Sequence, residues 1–397
     1  MGHLEIVSPE RVAATSGYDV QALRRAEFPW ADETIYLNHA ATGPLPERTR
    51  IALEQYGRVR ASAYGLGDEH LFGVLRNARA LAARLIGAEA DEISLATNTS
   101  YGIHIAALSL PLGPGDRVLV TQREFPANVF PWRELGRKGV ELEMLPQTSR
   151  GWPDEASMIE RLADPRVKVL ALSHVQFQSG YRADLARLSE ACRANGAYLV
   201  VDAIQTLGQI PFDVRETPVD ILACGAQKWL LSPWGSGFAY VRRGLIEALE
   251  PPFAGWMSFE DTDDFSAMCS YQEQRHRDAR RFEMVTLPFQ DFVGMIRSIE
   301  LLLELGIDAI ERHLAAINRP VLEWAERRGV PLASPTGRHG SGMVCLVPPE
   351  AGRVFAELTA AGVVASYREG AIRLSPHCYN TIDEMSRVAD LLERAIS

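Results

Sequence analysis

Cysteine is sparse in this chain and poorly spaced for cross-linking. Cys192, Cys224, Cys269, Cys345 and Cys378 are odd in number, widely separated and without a C-x-x-C pair, which opposes both a disulfide framework and a zinc site and leaves them to be read as small buried apolar residues. Long apolar runs are missing as well. No stretch approaches about eighteen uninterrupted apolar residues, so nothing in the sequence reads as a membrane span. Basic residues do not exceed acidic ones: Lys plus Arg is 41 against 51 for Asp plus Glu, giving a formal charge of −10 and a pI near 5.5, which argues against a nucleic-acid partner. Glycine-rich phosphate loops are absent, because PLGPGDR and PWGSGF lack the G-x-G-x-x-G context and no G-x-x-x-x-G-K-[ST] run occurs, so dinucleotide and nucleoside triphosphate binding are disfavoured. The first twenty residues, MGHLEIVSPERVAATSGYDV, have early acidic residues and no apolar h-region, so they do not read as a secretory signal and a cytoplasmic location is expected. No internal repeat is visible.

What is present is an ordinary globular composition, 47% hydrophobic and 23% charged over 397 residues. Between about residues 85 and 245, short β-rich runs alternate with helical stretches, the pattern of a parallel sheet covered by helices. VKVLALSHV, a helix carrying Leu185, Leu188 and Cys192, and AYLVVDA make one βαβ unit. A second starts at EISLATN, runs through SYGIHIAALSL and resumes at RVLVTQ. A ligand site is expected at the carboxyl ends of such strands. After about residue 260 the sequence becomes polar and charge-dense, marking a connection to a second domain. There Ile307, Ile310, Leu314, Ile317 and Val321 predict an amphipathic helix, and Thr381 with Glu384 forms a capping box ahead of Met385, Val388, Leu392 and Ile396. The domains are therefore an N-terminal segment (1–30), a large domain (31–260) and a small C-terminal domain (261–397).

Two residues suggest chemistry. Lys228 follows a probable strand end and precedes GSG; a partly desolvated lysine can lose its proton and attack a carbonyl, although most lysines are solvated surface charges. Asp202 ends the apolar run LVVD, where a buried carboxylate needs a cation or donor, although helix N-capping, taken alone, is the more ordinary explanation. Together they are what pyridoxal phosphate requires, a lysine for the aldehyde and an anion opposite the ring nitrogen.

In order and spacing, SHVQFQSGYRADL, VVDAIQTLGQIPFDV, ACGAQKWLLSPWGSGF, RRFEMVTLPF and IRLSPHCYNT resemble the class V aminotransferases, fold-type I enzymes dependent on pyridoxal 5'-phosphate, a family that also holds cysteine desulfurases, kynureninases and isopenicillin-N-epimerase-like proteins. The resemblance runs from YLNHAATGPLP to YNT. It implies a large domain with a mostly parallel sheet and a smaller α+β C-terminal domain. It assigns Lys228 as the internal aldimine lysine, Asp202 as partner of the pyridinium nitrogen and Gln205 as partner of the ring hydroxyl oxygen. Asn98, Thr99 and Ser100 would hold the phosphate at a helix start, with an ordinary N-cap equally compatible. Gln227 stands beside the phosphate where many relatives have histidine. Thr286 matches the threonine that reaches the phosphate of the other subunit's cofactor, implying a homodimer. Phe125, or Pro126 one position on, aligns with the ring that stacks on the cofactor, and a core phenylalanine is the alternative reading. Arg373 aligns with the arginine that binds the substrate carboxylate; a surface salt bridge is the alternative. Asn38, His39 and Gln176 fall in segments on the substrate side, and His174 falls near the ring; a structural histidine is the more common reading of His39, and a satisfied core histidine is the equal alternative for His174. The desulfurase loop with its nucleophilic cysteine has no counterpart in AGVVASYREGAIRLS, which opposes persulfide chemistry. An aminotransferase acting on a small amino acid is therefore expected. A C–S β-lyase or an epimerase is the alternative, and a catalytically silent binding relative is the reading of another class.

Overall fold

The computed structural model describes residues 17–396 apart from 63, 252, 267, 268, 270 and 272; the N-terminal reading of residues 1–16 lies outside them. After the short strand β1 (Ile35–Tyr36), seven strands build the central sheet: β2 (Ile93–Leu95), β3 (Arg117–Thr121), β4 (Glu141–Leu145), β5 (Val167–Ser173), β6 (Tyr198–Asp202), β7 (Ile221–Gly225) and β8 (Gly237–Val241). Their order is β2-β8-β7-β6-β5-β3-β4, parallel throughout except for β8, which runs against both neighbours.

The sheet is buried on both faces, as parallel sheets are. Alternate residues point to opposite sides. Val118, Val120, Val169 and Ala171 join Ile103 and Ala106 of helix Thr99–Ser109 in one cluster. Leu119, Leu170 and Leu172 join Leu185, Leu188 and Cys192 of helix Leu185–Asn195 in the other. The unit β5, Leu185–Asn195, β6 forms as expected, with β5 and β6 paired in register. The second expected unit differs. Its strands β2 and β3 are not neighbours; β2 sits at one edge of the sheet and β3 next to the other.

The C-terminal part adds β9 (Val344–Leu346), β10 (Val363–Val364), β11 (Ser366–Arg368) and β12 (Ala371–Leu374). β11, β12 and β9 form an antiparallel sheet, while β10 pairs with β1. Helix Phe289–Leu305, beyond residue 260 in sequence, packs on helices Glu47–Ser62 and Asp68–Ile86, so elements on both sides of that position share a core. The amphipathic pattern from Ile307 to Val321 is two helices, Ile307–Ile317 and Arg319–Arg328, because Pro320 restarts the helix after Asn318. The capping box forms, with Thr381 N donating to Glu384 Oε2 (2.9 Å) and Glu384 N to Thr381 Oγ1 (3.2 Å). Four cysteines are buried as expected; Cys269 is exposed. Among the described residues no helix is long and apolar enough to cross a membrane.

β2 is anchored by a buried ion pair. Arg79 Nη2 lies 2.6 Å from Glu283 Oε2, and Glu283 also accepts from the Leu95 amide at 2.9 Å. Arg79→Met strands a buried carboxylate and is expected to cost about 3–5 kcal/mol, with most of the loss recovered in the double variant Arg79→Met/Glu283→Leu. Urea unfolding of the three proteins measures it, and equal stability of the single and the parent would contradict it.

Candidate functional site

Five loops leave the carboxyl ends of β2, β3, β5, β6 and β7, and together with β11 and β12 they enclose a cavity of about 320 Å³. Asp202 is the last residue of β6, paired with Ser173 of β5 and Ala223 of β7. Its carboxylate is buried and accepts from the Ile204 amide at 3.0 Å. Burial raises the carboxyl to about 7; the nearby Glu124 carboxylate adds to this and Lys228 opposes it.

Lys228 stands three residues beyond β7 and is one of only three lysines in the chain, with Lys138 and Lys168. Its ammonium has no ion-pair or hydrogen-bond partner among the described residues and lies 5.4 Å from the Phe125 ring centroid. Burial lowers its pKa to about 8, against the pull of Asp202 and with the help of Arg373. The segment Asn38–Gly43 is pressed onto this loop: Gly43 N donates to Gln227 O at 2.8 Å, and a Cβ at Gly43 would stand 2.0 Å from the Lys228 carbonyl oxygen. Only glycine fits there.

Asn98 caps helix Thr99–Ser109, its Oδ1 accepting from Tyr101 N at 3.0 Å, so its side chain is a cap as the alternative reading had it. The cap nevertheless lines the cavity with Thr99 and Ser100. Thr99 Oγ1 accepts from Gly225 N at 2.9 Å, tying the helix start to the end of β7. The Thr99 and Ser100 amides, in the first turn, have no intrahelical acceptor and suit an anion. Gln205 and Gln227 also line the cavity. The Gln205 amide donates to Ala40 O (2.9 Å) and its oxygen accepts from Trp229 Nε1 (2.7 Å), leaving one amide hydrogen.

Of the two candidates for the covering ring, Phe125 faces the cavity and Pro126 does not. Phe125 meets Phe177 edge-on, centroids 5.3 Å apart. Arg373, in β12, is buried rather than on the surface and has no carboxylate partner among the described residues. Nη1 donates to Phe177 O, Nη2 to Ser366 Oγ at 3.4 Å, and Nε has no acceptor. Burial lowers its pKa to about 10. A buried guanidinium so poorly paired has donors to spare for an anion.

Three expected substrate contacts are not among the cavity-lining residues; each makes a hydrogen bond within the fold, although His39 Nε2 and Gln176 Oε1 have no partner among the described residues. Asn38 Oδ1 accepts from the Ser366 hydroxyl that also meets Arg373, so Asn38 acts on Arg373 at one remove. His39 is fully buried, donates from Nδ1 to Ser375 O (2.8 Å) and sits among the rings of Tyr36, His377 and Tyr379. Gln176 donates to the buried Glu124 at 2.5 Å. His174 is buried against Phe212, also away from the cavity. Thr286 is exposed outside it, accepting from Trp256 Nε1 at 2.9 Å.

Sequence reasoning missed Glu124, Trp234 and Arg368. Glu124 is held by Ser173 N (2.8 Å), Ser173 Oγ (2.6 Å) and Gln176, directly behind Phe125 in the chain; burial raises its carboxyl. Arg368 and the exposed Trp234 line the cavity. The signal for Arg368 was its two-residue spacing from Ser366 in a strand that turns back on Arg373. A larger groove of about 820 Å³ lies elsewhere, but Arg182, Arg215 and Arg338 in it are paired with Glu311, Asp213 and Asp184.

In cofactor-free protein, acylation of Lys228 is expected to rise with pH through about 8 rather than through the ordinary lysine value of 10.5, since the neutral amine is the reacting form. Peptide mapping of the three lysines checks it; a profile that climbs only near 10.5 would contradict it.

A family model described as aminotransferase class-V matches residues 35–347. The uncharacterized aminotransferase YcbU of Bacillus subtilis (strain 168) is 31% identical over 308 residues, covering 78% of this chain and 80% of the relative. A probable cysteine desulfurase of Pyrococcus abyssi (strain GE5 / Orsay) is 27% identical over 94% of this chain and 96% of its own. Among solved structures, the apo cysteine desulfurase of Thermococcus onnurineus NA1 superposes with a TM-score of 0.85 at 22% identity, over 97% of this chain and 99% of that one.

Proposed function

Because the chain belongs to the class V aminotransferase family, whose cofactor is pyridoxal phosphate, we propose that it breaks the Cα–H bond of a small amino acid and transfers its amino group. The residues present fit the cofactor: an unpaired amine and a buried carboxyl line one cavity with a helix start whose first amides lack acceptors. Bound there, pyridoxal phosphate supplies the electron sink that lets a bond to Cα ionise. Asp202 would face the ring nitrogen and favour its protonated form. The amides and hydroxyls of Thr99 and Ser100 receive the phosphate, with Gln227 beside it. The remaining amide hydrogen of Gln205 would be free to serve the ring hydroxyl oxygen, and Phe125, lining the same cavity, would cover the ring. Arg373 receives the substrate carboxylate. Lys228 would hold the cofactor's aldehyde end and, once the substrate amine had displaced it there, its freed neutral amine, the form burial favours, would take the proton from Cα. Thr286, exposed and outside the cavity, would meet the phosphate in a second copy of the chain.

The observation that carries this reading is the combination of one base with no thiol. Among the described residues lining the cavity, Lys228 is the only amine and no cysteine or histidine occurs, which favours one-base chemistry over two-base epimerisation and over persulfide transfer. β11 and β12 are joined by the two residues Glu369 and Gly370 alone, leaving no loop there to carry a nucleophile. A C–S β-lyase uses the same residues and is the second reading.

The test is incubation with amino acids, with and without a 2-keto acid acceptor. Keto acid produced only when acceptor is present supports transamination; ammonia released from cysteine or cystine without acceptor assigns the lyase instead. Lys228→Ala should lose the visible absorption of the bound cofactor while keeping the far-ultraviolet dichroism of the parent, and retention of that band would overturn the lysine assignment.

A further inference from the structure

Among the described residues lining the cavity there are three cations, Lys228, Arg368 and Arg373, and one carboxylate, Asp202. In the reading above Lys228 and Asp202 serve the cofactor, the helix start takes the phosphate and Arg373 takes the substrate's α-carboxylate. Arg368 is left over. It forms no ion pair among the described residues; its one hydrogen bond runs from Nη1 to the neighbouring Tyr367 carbonyl at 3.3 Å.

Its position is fixed by the hairpin. β11 and β12 pair antiparallel with Ser366 opposite Arg373, Tyr367 opposite Ile372 and Arg368 opposite Ala371. Directly opposed residues share a face, so Ser366, Arg368, Ala371 and Arg373 lie on one side, with Tyr367 and Ile372 on the other. Arg368 and Arg373 are thus diagonal neighbours, about 7–8 Å apart at Cα. The turn between the strands, Glu369 at φ 49° and Gly370 at φ 82°, has the paired left-handed residues of a two-residue hairpin, which sets the register and hence the spacing of the two guanidinium groups. Arg373 is buried at the inner end; Arg368 is exposed at the rim, as is Trp234. Two forks on one face, one deep and one shallow, match a ligand with an anion at each end of a short carbon chain.

Resting on the proposed function, we infer that Arg368 receives a negatively charged side-chain terminus and that the substrate is an acidic amino acid, its side chain ending in a carboxylate or sulfonate. The charged rim then selects the side chain while the buried arginine orients the backbone.

Two measurements on the full chain test it. With cofactor-free protein, calorimetry is run with succinate and glutarate against propionate and butyrate. The diacids should bind at least about 10-fold more tightly, and Arg368→Gln should erase the difference. With the holoenzyme, kcat/KM is compared for aspartate against asparagine, glutamate against glutamine, and cysteate. Acid-to-amide ratios of about 100 are expected to fall to within about 3-fold in Arg368→Gln, and cysteate should follow the acids. Equal losses on acid and amide would show both arginines gripping one carboxylate and overturn the inference, as would a parent enzyme indifferent to the acid. Diacid binding that depends on Arg368 in a protein that turns over no amino acid would overturn the proposed function, and with it the acidic amino-acid substrate, while leaving Arg368 as the receptor of a second anion. Turnover without such discrimination would do the reverse.

Discussion

An amine and a carboxyl group share one desolvated cavity at the carboxyl end of the central sheet, and the rest of the architecture serves to hold them there. Burial acts on the two in opposite directions, raising Asp202 to about 7 and lowering Lys228 to about 8, so both are driven toward their neutral forms. A cation delivered to Asp202 and an electrophile delivered to Lys228 relieve both desolvation costs at once. The site therefore suits a ring that carries both a basic nitrogen and a carbonyl carbon. Neither group could be kept in this condition on an exposed loop, where water would restore its charge.

The parallel strands supply the rigid half of this arrangement. Asp202 is set by the register of β6 between β5 and β7, and Thr99 is tied to Gly225 at the end of β7. The segment Asn38–Gly43 presses on the lysine loop through Gly43, and just before it β1 pairs with β10 of the C-terminal part. A chain of contacts from Asn38 through Ser366 to Arg373 follows. The same stretch of chain thus holds the lysine loop and, through Asn38, the hydroxyl that meets the buried arginine.

Much of this was legible in the sequence because its signals are local. Lys228 and Asp202 each follow an apolar strand, Thr381 and Glu384 carry their capping pattern three residues apart, and β5 and β6 flank a helix of ordinary periodicity. What was not legible depends on partners distant in the chain. The place of β2 at the sheet edge is decided by the reversed β8, and the division near Asn318 by a proline whose helical neighbours mask it. His39 reads as either a substrate contact or a structural histidine, and its partners, Ser375 and His377, come from more than 300 residues away. Glu124 has the same character: nothing beside it in sequence announces that Ser173 and Gln176 will enclose it. Arg368 needed the strand register, since a shift of one residue would turn it to the other face.

The two-residue turn at Glu369 and Gly370 has a consequence for how such a scaffold diversifies. Lengthening an exposed connection adds little loop-closure entropy, so insertions there would leave the folded state nearly as stable. Yet each added residue would loosen the fixed interval between the inner and outer guanidinium groups and open room for a new mobile segment above the cavity. If the outer arginine selects the side chain as proposed, stability and selectivity are uncoupled at this single exposed bend, and a longer turn could change the side chain accepted without disturbing the sheet beneath.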